Sequence, residues 1–342
     1  MKRRKMFFVK LLLVLLGLMF GCKDVTEELI DKKPEGAKTI VITMIAKSSA
    51  NPVFLAARTG ALKKAEDISE KYSLLDVVIN WKTPENENAL EQAEIIRNAV
   101  REKTNAIIVS CSDKDTLTKV INYAVDNDVP VMTFDSDAPD SKRFAFYGPD
   151  DIEMGKKIMN ELARLINSKG KIAILGGNQT ANNLQERVEG IRKAVTDYPN
   201  IEILGTFYHP ETETDAIEMM KNVQETYPDL KGWAMVGGWP MFGDKLKNII
   251  EPGKIKIVGV DALPVQLKYI EENYVQVLLG QPTFRWGEVT VEKVIDKIYL
   301  KKKVDEITRL NTIPVTIENL GGWSRQLRAW GYTGIPEKYF EM

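Results

Sequence analysis

The sequence predicts an α/β protein with two doubly wound, parallel-sheet lobes. From residue 39 onward, apolar runs of strand length alternate with stretches of helical spacing. That alternation calls for right-handed crossovers and a sheet covered on both faces. One construction also occurs twice. Pro130-Val131-Met132-Thr133-Phe134 breaks off in Asp135-Ser136-Asp137-Ala138-Pro139, and Ile255-Lys256-Ile257-Val258-Gly259-Val260 breaks off in Asp261-Ala262-Leu263-Pro264. A buried parallel strand reads this way where it reaches the rim of a sheet, so two rims imply two sheets. A length of 342 residues suits two domains of roughly 100–200 residues each.

In the first run, residues 39–46, 75–81 and 104–111 read as strands ahead of the first rim strand. Helical spacing covers 53–72, 86–102 (opened by Pro84) and 115–127. Residues 143–147 form a crossing strand, and the two sheets join near 146–148. The second run places strands at 171–175, 201–208 and 233–236, with helices at 152–167, 184–198 and 214–226 and a further helix near 245–250. A helix over 284–300 returns to the first lobe, and residues 312–317 supply a last crossing strand. The aromatic tail from Gly321 to Met342 is expected to pack along a lobe.

Composition excludes several classes. Lys+Arg total 47 against 48 Asp+Glu, so no net field steers the chain onto nucleic acid or an anionic surface. Hydrophobic content of 44% and charged content of 28% are those of a folded globular chain. Gly176-Gly177-Asn178 lacks the spacing of a dinucleotide or P-loop, and the single histidine, His209, has no nucleophile-elbow serine to serve. Only Asp135 with Asp137 approaches a metal cluster, and neither a metal nor a cofactor is expected. Cys111 closes an apolar run and reads as a small core residue.

Residues 1–21 read as an export leader: Lys2-Arg3-Arg4-Lys5 precedes an apolar stretch over 11–20 that is too short to span a bilayer. It ends in Leu18-Met19-Phe20-Gly21-Cys22, which resembles the lipobox of bacterial lipoproteins, and that resemblance implies acylation at Cys22. A polar segment over 22–37 then reads as a tether from membrane anchor to body.

Open α/β sheets bind ligands beyond the carboxyl ends of their strands. Those ends carry Asn51, Phe54, Trp81, Ser110, Asp135, Ser136, Asp137, Trp239, Asp261 and Gln281, rich in short acids, amides and hydroxyls and poor in Arg, Lys and His. Such groups chelate hydroxyl pairs, and aromatic faces cover the C–H side of a sugar ring. A neutral polyhydroxylated ligand fits this inventory, since an anion calls for Arg or Lys. Asp135 and Asp261 have a plainer alternative as turn caps, and Asn51 as a helix N-cap. Trp81 and Trp286 occupy positions where packing is the commoner use, and Gln179, Asn182 and Asn183 are expected to hydrogen-bond their own loop, with ligand contact open to one of them.

Asn51-Pro52-Val53-Phe54, followed in order by 105–115, 129–137, Glu186-Arg187-Val188-Glu189-Gly190, 257–261 and Gln281-Pro282, resembles the periplasmic sugar-binding proteins of the ribose, galactose and xylose type. The resemblance covers residues 39–318. It implies a type I periplasmic binding fold, two lobes on a three-strand hinge near 146–148, 281–282 and 313–314, and delivery of sugar to an ABC transporter permease. The first lobe is then 38–146 with 283–312 and the second 147–282 with 313–342. Asn51 and Asp135 would bind hydroxyls, Phe54 would pack on the ring, and Asp261 and Gln281 would act from the second lobe and hinge. Ser136 and Gln185 stand where ribose-type members carry arginines, and Gly237-Gly238-Trp239 replaces an asparagine. These departures point toward pentoses, polyols and modified sugars, bound by a monomer with no nucleic-acid partner. A lipoprotein receptor that senses a signalling sugar or nucleoside is the alternative.

Overall fold

The computed structural model describes residues 36–342; the leader, Cys22 and nearly all of the tether lie outside the described residues. The first run comprises β1 Lys38–Ile45, α1 Pro52–Lys71, β2 Leu75–Trp81, α2 Ala89–Arg101, β3 Ala106–Val109, α3 Lys114–Asp126, β4 Val131–Phe134 and β5 Ala145–Gly148. The chain then crosses into α4 Asp151–Leu165, β6 Gly170–Gly176, α5 Asn182–Ala194, β7 Ile201–Tyr208, α6 Glu213–Thr226, β8 Leu230–Met235, β9 Lys256–Asp261, α7 Leu267–Glu271 and β10 Val277–Gly280. It returns through α8 Thr283–Ile298 and β11 Ile307–Arg309, and crosses a last time into β12 Ile313–Val315 and α9 Leu320–Ala329.

Two six-stranded sheets result, ordered β11-β5-β4-β3-β1-β2 and β12-β10-β9-β8-β6-β7. Every neighbouring pair is parallel except β10 with β12. The period-2 alternation of a strand buried on both faces is plain in β3. Ala106 and Ile108 join the layer with α1 and α8, while Ile107 and Val109 join the layer with α2 and α3. Tyr147 and Gly148 stay in the first sheet, two residues past the expected lobe boundary at 146. The helix expected from residue 86 begins at Ala89, because Asn88 caps it through the Leu90 and Glu91 N–H groups. That leaves residues 82–88 as a loop at the cleft. Strands β10 and β11 and helix α7 were not anticipated; they are short, and β11 lies at a sheet edge. Among the described residues no helix is long and apolar enough to cross a membrane.

Glycine pairs set how deeply the site-bearing helices sit. A methyl group on Gly60 would lie 2.0 Å from the Phe284 carbonyl oxygen, and one on Gly287 would lie 1.9 Å from that of Ala57, so α1 and α8 touch backbone to backbone. The second lobe repeats the device, with Gly155 of α4 against the Arg187 carbonyl and Gly190 of α5 against that of Ile152. The tail packs on the second lobe: Trp323 Nε1 donates to the Ala262 carbonyl at 2.7 Å, bracing the second rim.

Gly287→Ala should therefore destabilise the protein by at least about 1–3 kcal/mol. Gly322→Ala, at an open position in α9, should be neutral or slightly stabilising. Chemical denaturation of the two variants beside the parent measures both.

Candidate functional site

β4 and β9 hold the same place, third from the β11 or β12 edge of their sheets. Each delivers an aspartate with left-handed backbone: Asp135 has φ +58°, Asp261 φ +95°, and Ala262 follows at φ +55°. A non-glycine residue held there costs about 1–3 kcal/mol, and such strain gathers at functional sites. Neither side chain caps its turn. Asp135 accepts from Ser110 Oγ at 2.8 Å and, across the cleft, from Asn183 Nδ2 at 3.3 Å. Asp261 accepts from Gln281 Nε2 at 2.8 Å.

Between the rims lies a narrow cavity lined from both lobes. The first lobe contributes Lys47 beyond β1, Asn51 and Phe54 at the start of α1, Asp135, and Trp286 of α8. The second contributes Asn183 and Arg187 of α5, Glu211, Gly237-Gly238-Trp239 and Asp261, with Gln281 at a crossing. Asn51 also caps α1, accepting from the Val53 N–H at 3.1 Å. The Trp239 ring packs over Gly177 and Gly237, where any Cβ would collide with it, and His209 meets it edge-on at 4.7 Å between centroids. Trp286 packs at a tilt against Phe54 and Phe134, with ring centroids 6.1 and 6.0 Å away.

Arg187 anchors the electrostatics. Its Nε donates to Asp151 Oδ1 at 2.7 Å and its Nη1 to the Val236 carbonyl at 2.9 Å. Burial raises the Asp151 carboxyl to about 7, with Arg187 pulling it back. Burial likewise raises Asp261 to about 6 and raises Asp135, each partly offset by nearby positive charge. Burial alone would lower Lys47, but Glu211, Glu87 and Asp135 more than offset it, so the ammonium stays charged. Three buried groups on residues that line the cavity, Arg187 Nη2, Trp286 Nε1 and Gln281 Oε1, find no partner among the described residues. Two are donors and one is an acceptor, and Asp135 and Asp261 keep spare lone pairs. A hydroxyl serves both roles, so this cavity suits a ligand carrying several hydroxyls.

Of the expected site residues, Asn51, Phe54, Asp135, Trp239, Asp261 and Gln281 meet around the cavity. Ser110 lies behind it, holding Asp135. Four do not line it. Asp137 turns within its own loop to a two-pronged ion pair with Arg143, Nε–Oδ1 at 2.6 Å and Nη2–Oδ2 at 2.7 Å. Ser136 is wholly buried, Gln185 faces the Tyr208 hydroxyl at 3.5 Å, and Trp81 sits under the Arg58 guanidinium at the end of β2. Beyond the expected strand-end inventory, Lys47 follows β1 and His209 follows β7, and Arg187 reaches the cavity from the face of α5. Trp286, expected in packing, lines the cavity, and Asn183, whose Oδ1 accepts the neighbouring Leu184 N–H at 3.0 Å as expected of a local bond, also reaches the opposite lobe through Nδ2. Lys47 stands next to an expected strand end; Asn183, Arg187 and Glu211 carry no such mark.

Arg187→Met leaves Asp151 buried without its counterion, which should cost about 3–5 kcal/mol. A carboxyl whose folded pKa is raised loses its contribution to stability as pH rises through that value. The loss in melting temperature relative to the parent should therefore be larger at pH 8 than at pH 5.

Residues 42–302 match the model of the periplasmic binding protein domain family. The ribose import binding protein of Salmonella typhimurium is 23% identical over 265 residues, 77% of this chain and 86% of that protein. The xylose/arabinose-binding protein of Sulfolobus acidocaldarius is 23% identical over 72% of this chain and 63% of its own length. Among solved structures, a carbohydrate transporter solute-binding protein from Agrobacterium radiobacter in complex with D-arabinose aligns with a TM-score of 0.78 at 22% identity, over 85% of this chain and 98% of that one. A glucose-galactose binding protein from Geobacillus stearothermophilus gives 0.76 at 23% identity, over 83% and 99%. With two parallel-sheet lobes closing on a cleft and a family model matched over most of its length, the chain belongs to the periplasmic binding protein domain family.

Proposed function

We propose that this protein is an extracytoplasmic solute-binding protein that captures one neutral sugar between its lobes and delivers it to an ABC transporter permease. The observation that carries the reading is the mixed set around the cavity, two unpartnered donors, one unpartnered acceptor and two buried carboxylates with spare lone pairs. Relatives named for ribose, xylose and arabinose support it, and the ribose relative, named an import binding protein, favours transport over the sensing alternative. The role is capture, not catalysis. Ser136 and Gln185, where ribose-type proteins are expected to carry arginines, support a pentose, polyol or modified sugar in place of ribose.

Capture works by closure about the three crossings, at 149–150, 281–282 and 310–312. Each lobe holds part of the ligand's contacts, so a solute favours the closed state by its differential affinity for it. Acylation at Cys22 would hold the protein at a membrane, with residues 22–37 as the tether and a monomeric body beyond; the leader-like sequence ahead of Cys22 supports this.

A thermal-shift screen of pentoses, hexoses, polyols and nucleosides tests the reading. A sugar at a hundredfold excess over its Kd should add about 2.7 kcal/mol of stability. Asp135→Ala should remove that shift while the variant still folds, because one charged hydrogen-bond acceptor contributes about 1.5–3 kcal/mol to binding. Silence across all sugars, or undiminished binding by the variant, would contradict it.

A further inference from the structure

We propose that closing the cleft on a solute takes up one proton on Glu87 of the first lobe, which meets Glu211 of the second. This rests on the binding reading above. Glu87 belongs to the loop between β2 and α2, and Glu211 to the loop between β7 and α6. Asn178 brings them together: its backbone N–H donates to Glu211 Oε1 at 3.0 Å, and its Nδ2 donates to Glu87 Oε1 at 3.2 Å. The two acidic side chains thus converge on Asn178 from opposite lobes. A second negative charge brought beside the buried Glu87 carboxyl favours its protonated form.

The surrounding charge does not remove the need for it. Glu87 faces Lys47, whose Nζ lies 3.4 Å from Glu87 Oε1, and Glu211. Glu211 faces Lys47 and also Asp135, Asp261 and His209. His209 Nδ1 accepts the Glu211 backbone N–H at 3.1 Å, and burial lowers its pKa to about 4, so the ring is neutral and adds no positive charge. One ammonium therefore meets two carboxyl groups at the cleft mouth, with Asp135 behind them.

Opening separates the pair asymmetrically. Glu211 and Asn178 leave with the second lobe, whereas Lys47 stays beside Glu87 on the first. An exposed, ion-paired Glu87 ionises like an ordinary glutamate, with a pKa of about 4.3. In the closed cleft, burial and then the Glu211 charge raise it to about 7, against the pull of Lys47. Between those values the closed form binds more protons than the open form, so solute affinity is highest at low pH and declines as pH rises toward 7.

Titration calorimetry of the protein with D-xylose, D-arabinose and D-ribose from pH 5.5 to 8 tests this. Affinity for whichever sugar binds should fall on the order of tenfold across the range. Asp261 also titrates near the middle of this window, so the parent's slope alone does not identify the pair. Glu87→Gln and Glu211→Gln identify it: each should reduce the parent's slope, Glu87→Gln to no more than the part carried by Asp261, whatever its effect on absolute affinity. A flat parent profile, or a full slope that survives in either variant, overturns the proposal while leaving sugar capture intact. If none of the three sugars binds at any pH, small-angle scattering without solute decides. A parent more compact at pH 5.5 than at pH 8, beside a pH-independent Glu87→Gln/Glu211→Gln double variant, supports the latch; an unchanging parent overturns it.

Discussion

Arg187 is the interaction on which the cleft depends. One guanidinium, itself buried, is the counterion to Asp151 and the nearby positive charge for both rim aspartates. Without it, three carboxyl groups would face a water-poor space with too little positive charge, and the protonated forms would dominate. With it, Asp135 and Asp261 remain acceptors for hydroxyls, and its own spare Nη2 adds a donor between them. The site therefore holds its charge by construction. A neutral polyol fills the remaining hydrogen bonds without adding a charge that would have to be balanced.

The fold's job is to hold that guanidinium and those carboxylates at one height. Arg187 and Asn183 ride on α5, whose depth is set by Gly190 against the α4 backbone and by Gly155 of α4 against the α5 backbone. Asn51 and Phe54 ride on α1, set in the same way against α8, which also carries Trp286. Asp135 and Asp261 come from equivalent strands of two sheets, each in a strained conformation that its neighbours maintain. The tail adds a brace from outside: Trp323 holds the Ala262 carbonyl, and Tyr332 hydrogen-bonds Thr283 just past the middle crossing. Site geometry is thus a consequence of helix packing as much as of the loops themselves.

Much of this was legible in the sequence, for a physical reason. An apolar strand buried on both faces ends sharply, so its last residue marks a rim, and the rims identified Asp135, Asp261 and their surroundings. Asn51 declared itself by the proline that follows it at the start of a helix. What a strand end does not reveal is which way the next side chain turns. Asp137, two residues beyond Asp135, is taken by Arg143 from its own loop, and Trp81 turns toward Arg58. Nor does periodicity reveal what the opposite lobe brings. Glu87, Asn183, Arg187 and Glu211 sit in loops or on helix faces, and they become a site only when two separately folded sheets meet.

A crystal structure grown with the sugar that most raises the melting temperature tests the account most directly. The account predicts a single sugar enclosed between the lobes, with hydroxyls on Asp135 and Asp261, a ring oxygen or hydroxyl on Arg187 Nη2, and aromatic rings of Trp286 or Trp239 against it. A sugar bound outside this cavity, or enclosed there without touching either aspartate or Arg187, would contradict it.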